Sequence, residues 1–101
     1  MREIVQAVLL DYNGWLLCEF DNGVKKFVDI KPSMTGILEK LHDRNFFNKV
    51  YIDSDAGTVA WPGEMHLDPD TLYARGIDIQ ELEKLLQASQ EAINDDRLKR
   101  A

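Results

Sequence analysis

The sequence predicts a small α+β domain: an antiparallel β-meander, a second short hairpin, short helices and a C-terminal helix. Three observations carry that prediction. Two Asn-Gly turn signals, Asn13-Gly14 and Asn22-Gly23, separate short apolar runs within the first 30 residues. The pair Asp68-Pro69 has the chemistry of a helix start, a capping carboxylate followed by proline at the first helical position. Beyond Asp78, apolar side chains recur at helical spacing, with Ile79, Leu82, Leu86, Ser89 and Ile93 falling 3, 4, 3 and 4 residues apart.

The elements follow in order. Ile4 to Leu10 is rich in β-branched and aliphatic residues and reads as a strand ending at Asp11-Tyr12-Asn13-Gly14. Trp15 to Phe20 reads as the second strand, and Val24 to Ile30 as the third. Lys25 and Lys26 precede Phe27, Val28 and Ile30, so one face of that strand is expected to be wet. Pro32 ends it. Ser33 or Thr35 is placed to cap a short helix to about His42, with Ile37, Leu38 and Leu41 on one side. Asp43-Arg44-Asn45 breaks that helix, and Phe46 and Phe47 anchor a turn into the core. Val50 to Asp53 and Thr58 to Trp61, joined by Ser54-Asp55-Ala56-Gly57, make the second hairpin. Leu72 and Tyr73 pack the helix that begins at Asp68-Pro69, and Gly76 stops it. Asp78 with Glu81 resembles a capping box for the last helix, with Asp in the Ser/Thr position. These readings divide the chain into an α+β core, residues 1–76, and a C-terminal helix, residues 77–101. That helix either extends the same domain or mediates oligomerisation.

A chain of 101 residues with 45% hydrophobic content fits one core rather than two. The net charge of −6 is unevenly placed. Met1 to Val50 holds seven basic and seven acidic residues, whereas Tyr51 to Ala101 holds five and eleven. An acidic second half is a poor match for phosphate backbones, so nucleic acid is not the expected partner. It suits a basic protein. Cys18 is the only cysteine, so no intrachain disulfide forms, and its place in Trp15-Leu16-Leu17-Cys18 reads as a small buried hydrophobe. The start is too charged for a signal peptide, and no stretch reaches the 18 apolar residues of a membrane span, so a soluble cytoplasmic protein is expected.

A family resemblance emerges from this order of residues. Phe20-Asp21-Asn22-Gly23-Val24 is followed by basic residues and Asp29. Leu41-His42-Asp43 then precedes Phe46-Phe47 and a valine strand. Thr58-Val59-Ala60-Trp61-Pro62 comes last, ahead of Leu67-Asp68-Pro69-Asp70-Thr71-Leu72-Tyr73. Over roughly Ile4 to Tyr73 the chain resembles the bacterial domain-of-unknown-function family twenty-four forty-two. The resemblance implies an α+β fold with no established catalytic residues. It also implies a gene beside another small protein in a pair like a toxin–antitoxin system. Some members carry an appended helix-turn-helix, which would make them DNA-associated regulators. Here the tail after Gly76 reads as a single helix, too short for that motif, and His66 stands where the family suggests an acidic residue.

Candidate sites are few. Glu64, His66 and Asp68 alternate, so on an extended segment they would share a face, and two carboxylates with an imidazole are reasonable ligands for a divalent ion. Against this, Asp68 is already explained as a helix cap. Asp53, Asp55, Asp68 and Asp70 lie in turns and caps, where water keeps both members of any pair ionised, unlike an acid–base couple. No catalytic constellation and no cofactor motif is present. Trp61 and Tyr73 suit core packing first and a partner-binding patch second. Leu82, Leu86 and Ile93 either fold back onto the sheet or pair with another protomer as a homodimer. The expected function is therefore a non-catalytic protein-interaction module with a protein partner. A DNA-associated regulator is the alternative, and a metal-dependent enzyme stands third.

Overall fold

The structure is a computed structural model and describes residues 2–87. The first sheet is the predicted meander, built from β1 (Ile4–Leu9), β2 (Trp15–Phe20) and β3 (Lys25–Asp29), each antiparallel to the next. Its turns differ in detail from the tightest Asn-Gly form. That form needs a left-handed backbone at both central residues. Here Gly14 (φ 84) and Gly23 (φ 85) are left-handed, and their asparagines are not. At the second turn Gly23 N–H donates to Phe20 O at 2.9 Å and Phe20 N–H donates to Val24 O at 2.9 Å, the pattern of a three-residue loop closed by a glycine bulge. Asn22 contributes through its side chain, whose Oδ1 accepts from Val24 N–H at 3.0 Å.

A bulge between Ile4 and Gln6 resets the phase of β1. Ile4 pairs with Phe20 and Ala7 with Cys18, so residues three apart reach the same face. That face also carries Leu16 and Val28, and it is the core side.

After β3 the chain makes two 3₁₀ turns, Lys31–Ser33 and Gly36–His42. The helix expected up to His42 is present in this tighter form, and Thr35 makes no side-chain cap. With three residues per turn, Leu38 and Leu41 stack on one side. Ile37 is thrown outward and is 79% exposed, not part of the inward face assigned to it. A single α-helical turn, α1 (Arg44–Phe47), then begins at Asp43, whose carboxylate accepts from Asn45 N–H at 3.0 Å.

The second hairpin forms as expected from β4 (Tyr51–Asp53) and β5 (Thr58–Trp61). Two short strands complete the sheets. β6 (Met65–His66) turns back onto β5 and makes a three-stranded second sheet. α2 (Pro69–Arg75) follows, and then β7 (Ile77–Asp78) pairs with β3 to give the first sheet the order β1-β2-β3-β7. Gly76 ends α2 with an extended backbone, and its lack of a Cβ has a packing reason. A Cβ there would lie 2.8 Å from the Lys26 side chain and 3.1 Å from Leu72 O. Residues 79–87 form the described part of the last helix, α3, whose start is capped by Asp78 Oδ1 accepting from Gln80 N–H at 2.8 Å. No described helix is long and apolar enough to cross a membrane.

The core lies between the inner face of the first sheet, the second sheet and α2. Phe20, Val28, Leu41, Phe47, Trp61 and Leu72 are among its fully enclosed side chains. β5 is covered on both faces: Val59, Ala60 and Trp61 are apolar, and the Thr58 hydroxyl is satisfied by donating to Leu67 O at 2.7 Å.

Candidate functional site

The candidate residues of the first sheet's far side come from two-residue alternation. In β2, Leu16, Cys18 and Phe20 point inward, so Trp15, Leu17 and Glu19 point outward. Cross-strand pairing carries that outer face across the sheet. Val8 pairs with Leu17, Leu17 with Phe27 and Phe27 with Ile77, giving an apolar row that crosses all four strands. Val8 and Ile77 are 47% and 42% exposed, so the row meets solvent.

On one side of this row lie Gln6, Glu19 and Lys25, paired in the same manner. On the other side lie Trp15, paired with Asp29, and Leu10, whose N–H donates to Trp15 O at 3.4 Å. Asp29 Oδ1 accepts from Lys31 N–H at 3.1 Å and from Lys31 Nζ at 2.9 Å. The Lys31 ammonium also stands 5.5 Å over the Trp15 ring.

α3 stands against the β3–β7 half of this face, where Ile79, Gln80 and Glu83 line a recess with Lys25. Leu82 joins Leu10, Tyr12, Trp15, Phe27 and Ile77 in lining an open cavity of about 480 Å³. Leu85 and Leu86 follow Leu82 at helical spacing and are 64% and 52% exposed. The apolar surface thus continues from the sheet onto the helix. An apolar surface of this kind, rimmed by charges, is the arrangement that protein partners cover. Sequence reasoning missed its sheet half. The available signal was the run Trp15-Leu16-Leu17-Cys18, which is apolar at every position where a strand with one wet face would alternate.

The residues singled out from sequence fall in different places. Trp61 is fully buried, donates its indole N–H to Phe47 O at 2.8 Å and packs on the Phe47 ring, so it offers no surface to a partner. Tyr73 is half-buried and stands edge-on to Phe20. Arg2 and Lys26 sit 4.0 and 3.8 Å from its ring centre, and Lys26 Nζ donates to Tyr73 O at 2.7 Å. These contacts tie α2 to the first sheet. Leu82 lines the cavity, Leu86 is exposed rather than folded back onto the sheet, and Ile93 lies outside the described residues.

Glu64, His66 and Asp68 do not form a cluster. Among the described residues no three His, Cys, Asp or Glu side chains are grouped as a metal site requires. The alternation that would align them fails because Glu64 occupies a left-handed turn (φ 64) and only Met65 and His66 are strand. Asp68 caps α2, its Oδ1 accepting from Asp70 N–H at 3.2 Å and its Oδ2 from the Thr71 hydroxyl at 3.0 Å. Asp53 is likewise spent on a turn, accepting from Asp55 N–H and Ala56 N–H at 3.0 and 3.2 Å.

Cys18 is enclosed, and burial pushes its thiol up to about 12 from an ordinary 9.0. It therefore stays a protonated thiol at neutral pH rather than the thiolate that nucleophilic chemistry needs.

Residues 6–78 match the family model described as Protein of unknown function (DUF2442). Neither the curated proteins nor the solved structures give a significant match.

Proposed function

The chain belongs to the DUF2442 family, and from that premise we propose that it is a non-catalytic protein-interaction module working through the outer face of its first sheet. One observation carries the reading: the row Val8, Leu17, Phe27 and Ile77, continued by Leu82, is apolar and meets solvent at Val8 and Ile77, on a sheet whose other face already holds the core. Small domains gain stability when a partner covers such a face. The carboxylates that would serve acid–base chemistry are engaged instead in caps and turns. The finer role we assign is the regulatory or antitoxin-like half of a two-gene pair, in which the acidic second half of the chain shields a basic partner.

The test is the mass in solution of the full chain, alone and mixed with the product of the gene beside its own, measured by light scattering. Val8→Glu places a charge in the apolar row at a position exposed enough to leave the fold intact. The expected result is an assembly in at least one of the two samples that Val8→Glu abolishes. A strictly monomeric chain in both samples, or an assembly indifferent to Val8→Glu, overturns the proposal.

A further inference from the structure

The two Asn-Gly turns of the first sheet share a dipeptide, yet the fold holds them differently. Asparagine is a thermolabile residue. It is most so before glycine, because the backbone nitrogen that attacks its side chain is then unshielded by a Cβ. At the second turn both reacting groups are engaged. Asn22 Nδ2 donates to the Tyr73 hydroxyl at 3.3 Å, and Asn22 Oδ1 accepts from Val24 N–H at 3.0 Å. Gly23 N–H, whose nitrogen would attack, donates to Phe20 O at 2.9 Å. Reaction there has to break all three contacts.

At the first turn neither group is held. Asn13 is exposed, and among the described residues neither its side-chain amide nor Gly14 N–H has a hydrogen-bond partner. A cation stands where charge would develop. Lys31 Nζ donates to Asn13 O at 3.2 Å. That oxygen and the Gly14 nitrogen belong to one conjugated peptide group. When the nitrogen loses its proton, the negative charge spreads onto the oxygen that the ammonium already touches. Asp29 Oδ1, 2.9 Å from Lys31 Nζ, keeps the ammonium in place. The Lys31 stem lies so close over Gly14 that a Cβ on the glycine would come 2.7 Å from Lys31 Cγ. This is a donor set in advance for an oxyanion.

We propose that Asn13 is a site of spontaneous deamidation promoted by Lys31, and that the fold protects Asn22. The Gly14 nitrogen gives up its proton and bonds to Asn13 Cγ. The bond from Cγ to Nδ2 breaks, and Nδ2 leaves as ammonia, carrying a proton in place of the one released. Water then opens the cyclic imide at either carbonyl, giving aspartate or an isoaspartate whose main chain runs through Cβ. The balance is one water consumed for one ammonia released, with no oxidant or cofactor. The product places a new carboxylate between Tyr12 and Trp15, which line the apolar cavity beneath Leu82. The change is one-way and adds negative charge at the rim of that cavity, whichever partner covers it.

Peptide mapping by mass spectrometry, on the full chain incubated at mildly alkaline pH, tests the proposal. Replacing NH₂ by OH raises the peptide mass, and fragmentation assigns the change to a residue. In the native chain Asn13 is expected to convert at least about fivefold faster than Asn22. In urea the two are expected to convert alike. Lys31→Gln removes the charge and is expected to slow Asn13 about fivefold in the native chain, with no effect in urea. Lys31→Arg keeps the charge and is expected to restore most of the rate. Asn22 is the internal reference, since a variant that merely loosens the fold would speed Asn22 rather than slow Asn13. Native conversion at Asn22 as fast as at Asn13 overturns the proposal. So does an Asn13 that stays intact while the unfolded chain converts, or a native rate that Lys31→Gln leaves unchanged.

Discussion

The Cys18 thiol shows how burial alone sets the chemistry of a side chain. It lies on the inner face between Leu16 and Phe20, and burial is the cause of its shift. In the unfolded chain it ionises near 9.0, whereas in the fold it is held to about 12. The fold therefore favours the protonated form. Its contribution to stability is whole below pH 9 and is lost as pH rises from 9 toward 12. The prediction is a stability that declines more steeply between about pH 8 and about pH 10.5 in the native chain than in Cys18→Ala, as read by urea unfolding. Cys18→Ala removes the thiol and no other ionisable group, so the difference in slope isolates it. Equal slopes would mean that Cys18 is hydrated in the folded state. Thr58 illustrates the opposite device. It is a buried hydroxyl kept inside by donating to Leu67 O at 2.7 Å, which pins β5 to the segment leading into α2.

Among the elements, α2 depends most visibly on its ends. It is only 7 residues long, so its own hydrogen bonds cannot sustain it in water. It persists because Asp68 caps its start, Pro69 and Leu72 are buried beneath it, and Tyr73 is held between Arg2 and Lys26. Asp68→Ala removes two acceptor contacts and is expected to cost about 1 kcal/mol. For a domain of this size that is a fall of roughly 4–8 °C in melting temperature. Asp55→Ala, at an exposed turn position, serves as the comparison and should stay within about 0.5 kcal/mol of the native chain. If calorimetry shows the two variants melting together, the cap contributes nothing. The cap itself was legible in Asp68-Pro69. The turn before β6 was legible in Pro62-Gly63, whose glycine is left-handed (φ 94), but the left-handed backbone of Glu64 was not, because no glycine or asparagine stands at that position.

For the molecule as a whole, the open question is what a chain of this size does with two apolar sheet faces. One face builds the core with the second sheet and α2. The other, among the described residues, is half-exposed, with Val8 and Ile77 reaching solvent. If a second copy covers it, folding and association are linked, and the melting temperature rises with protein concentration. Scanning calorimetry over a hundredfold range of concentration should show that rise in the native chain and lose it in Val8→Glu. A melting temperature independent of concentration in both would place the folded monomer, outer face exposed, as the stable species. The sequence by itself determined the class of the fold, the meander, the second hairpin and the start of α2. Each of these is written locally, in turn residues and caps that act on their immediate neighbours. Only the tertiary structure decided that Trp61 is core, that Ile77 and Asp78 add a fourth strand, and that Val8, Leu17 and Phe27 share a face with Leu82. Those facts depend on cross-strand register, including a bulge between Ile4 and Gln6 that shifts the phase of β1, and register is set by contacts between residues far apart in the chain.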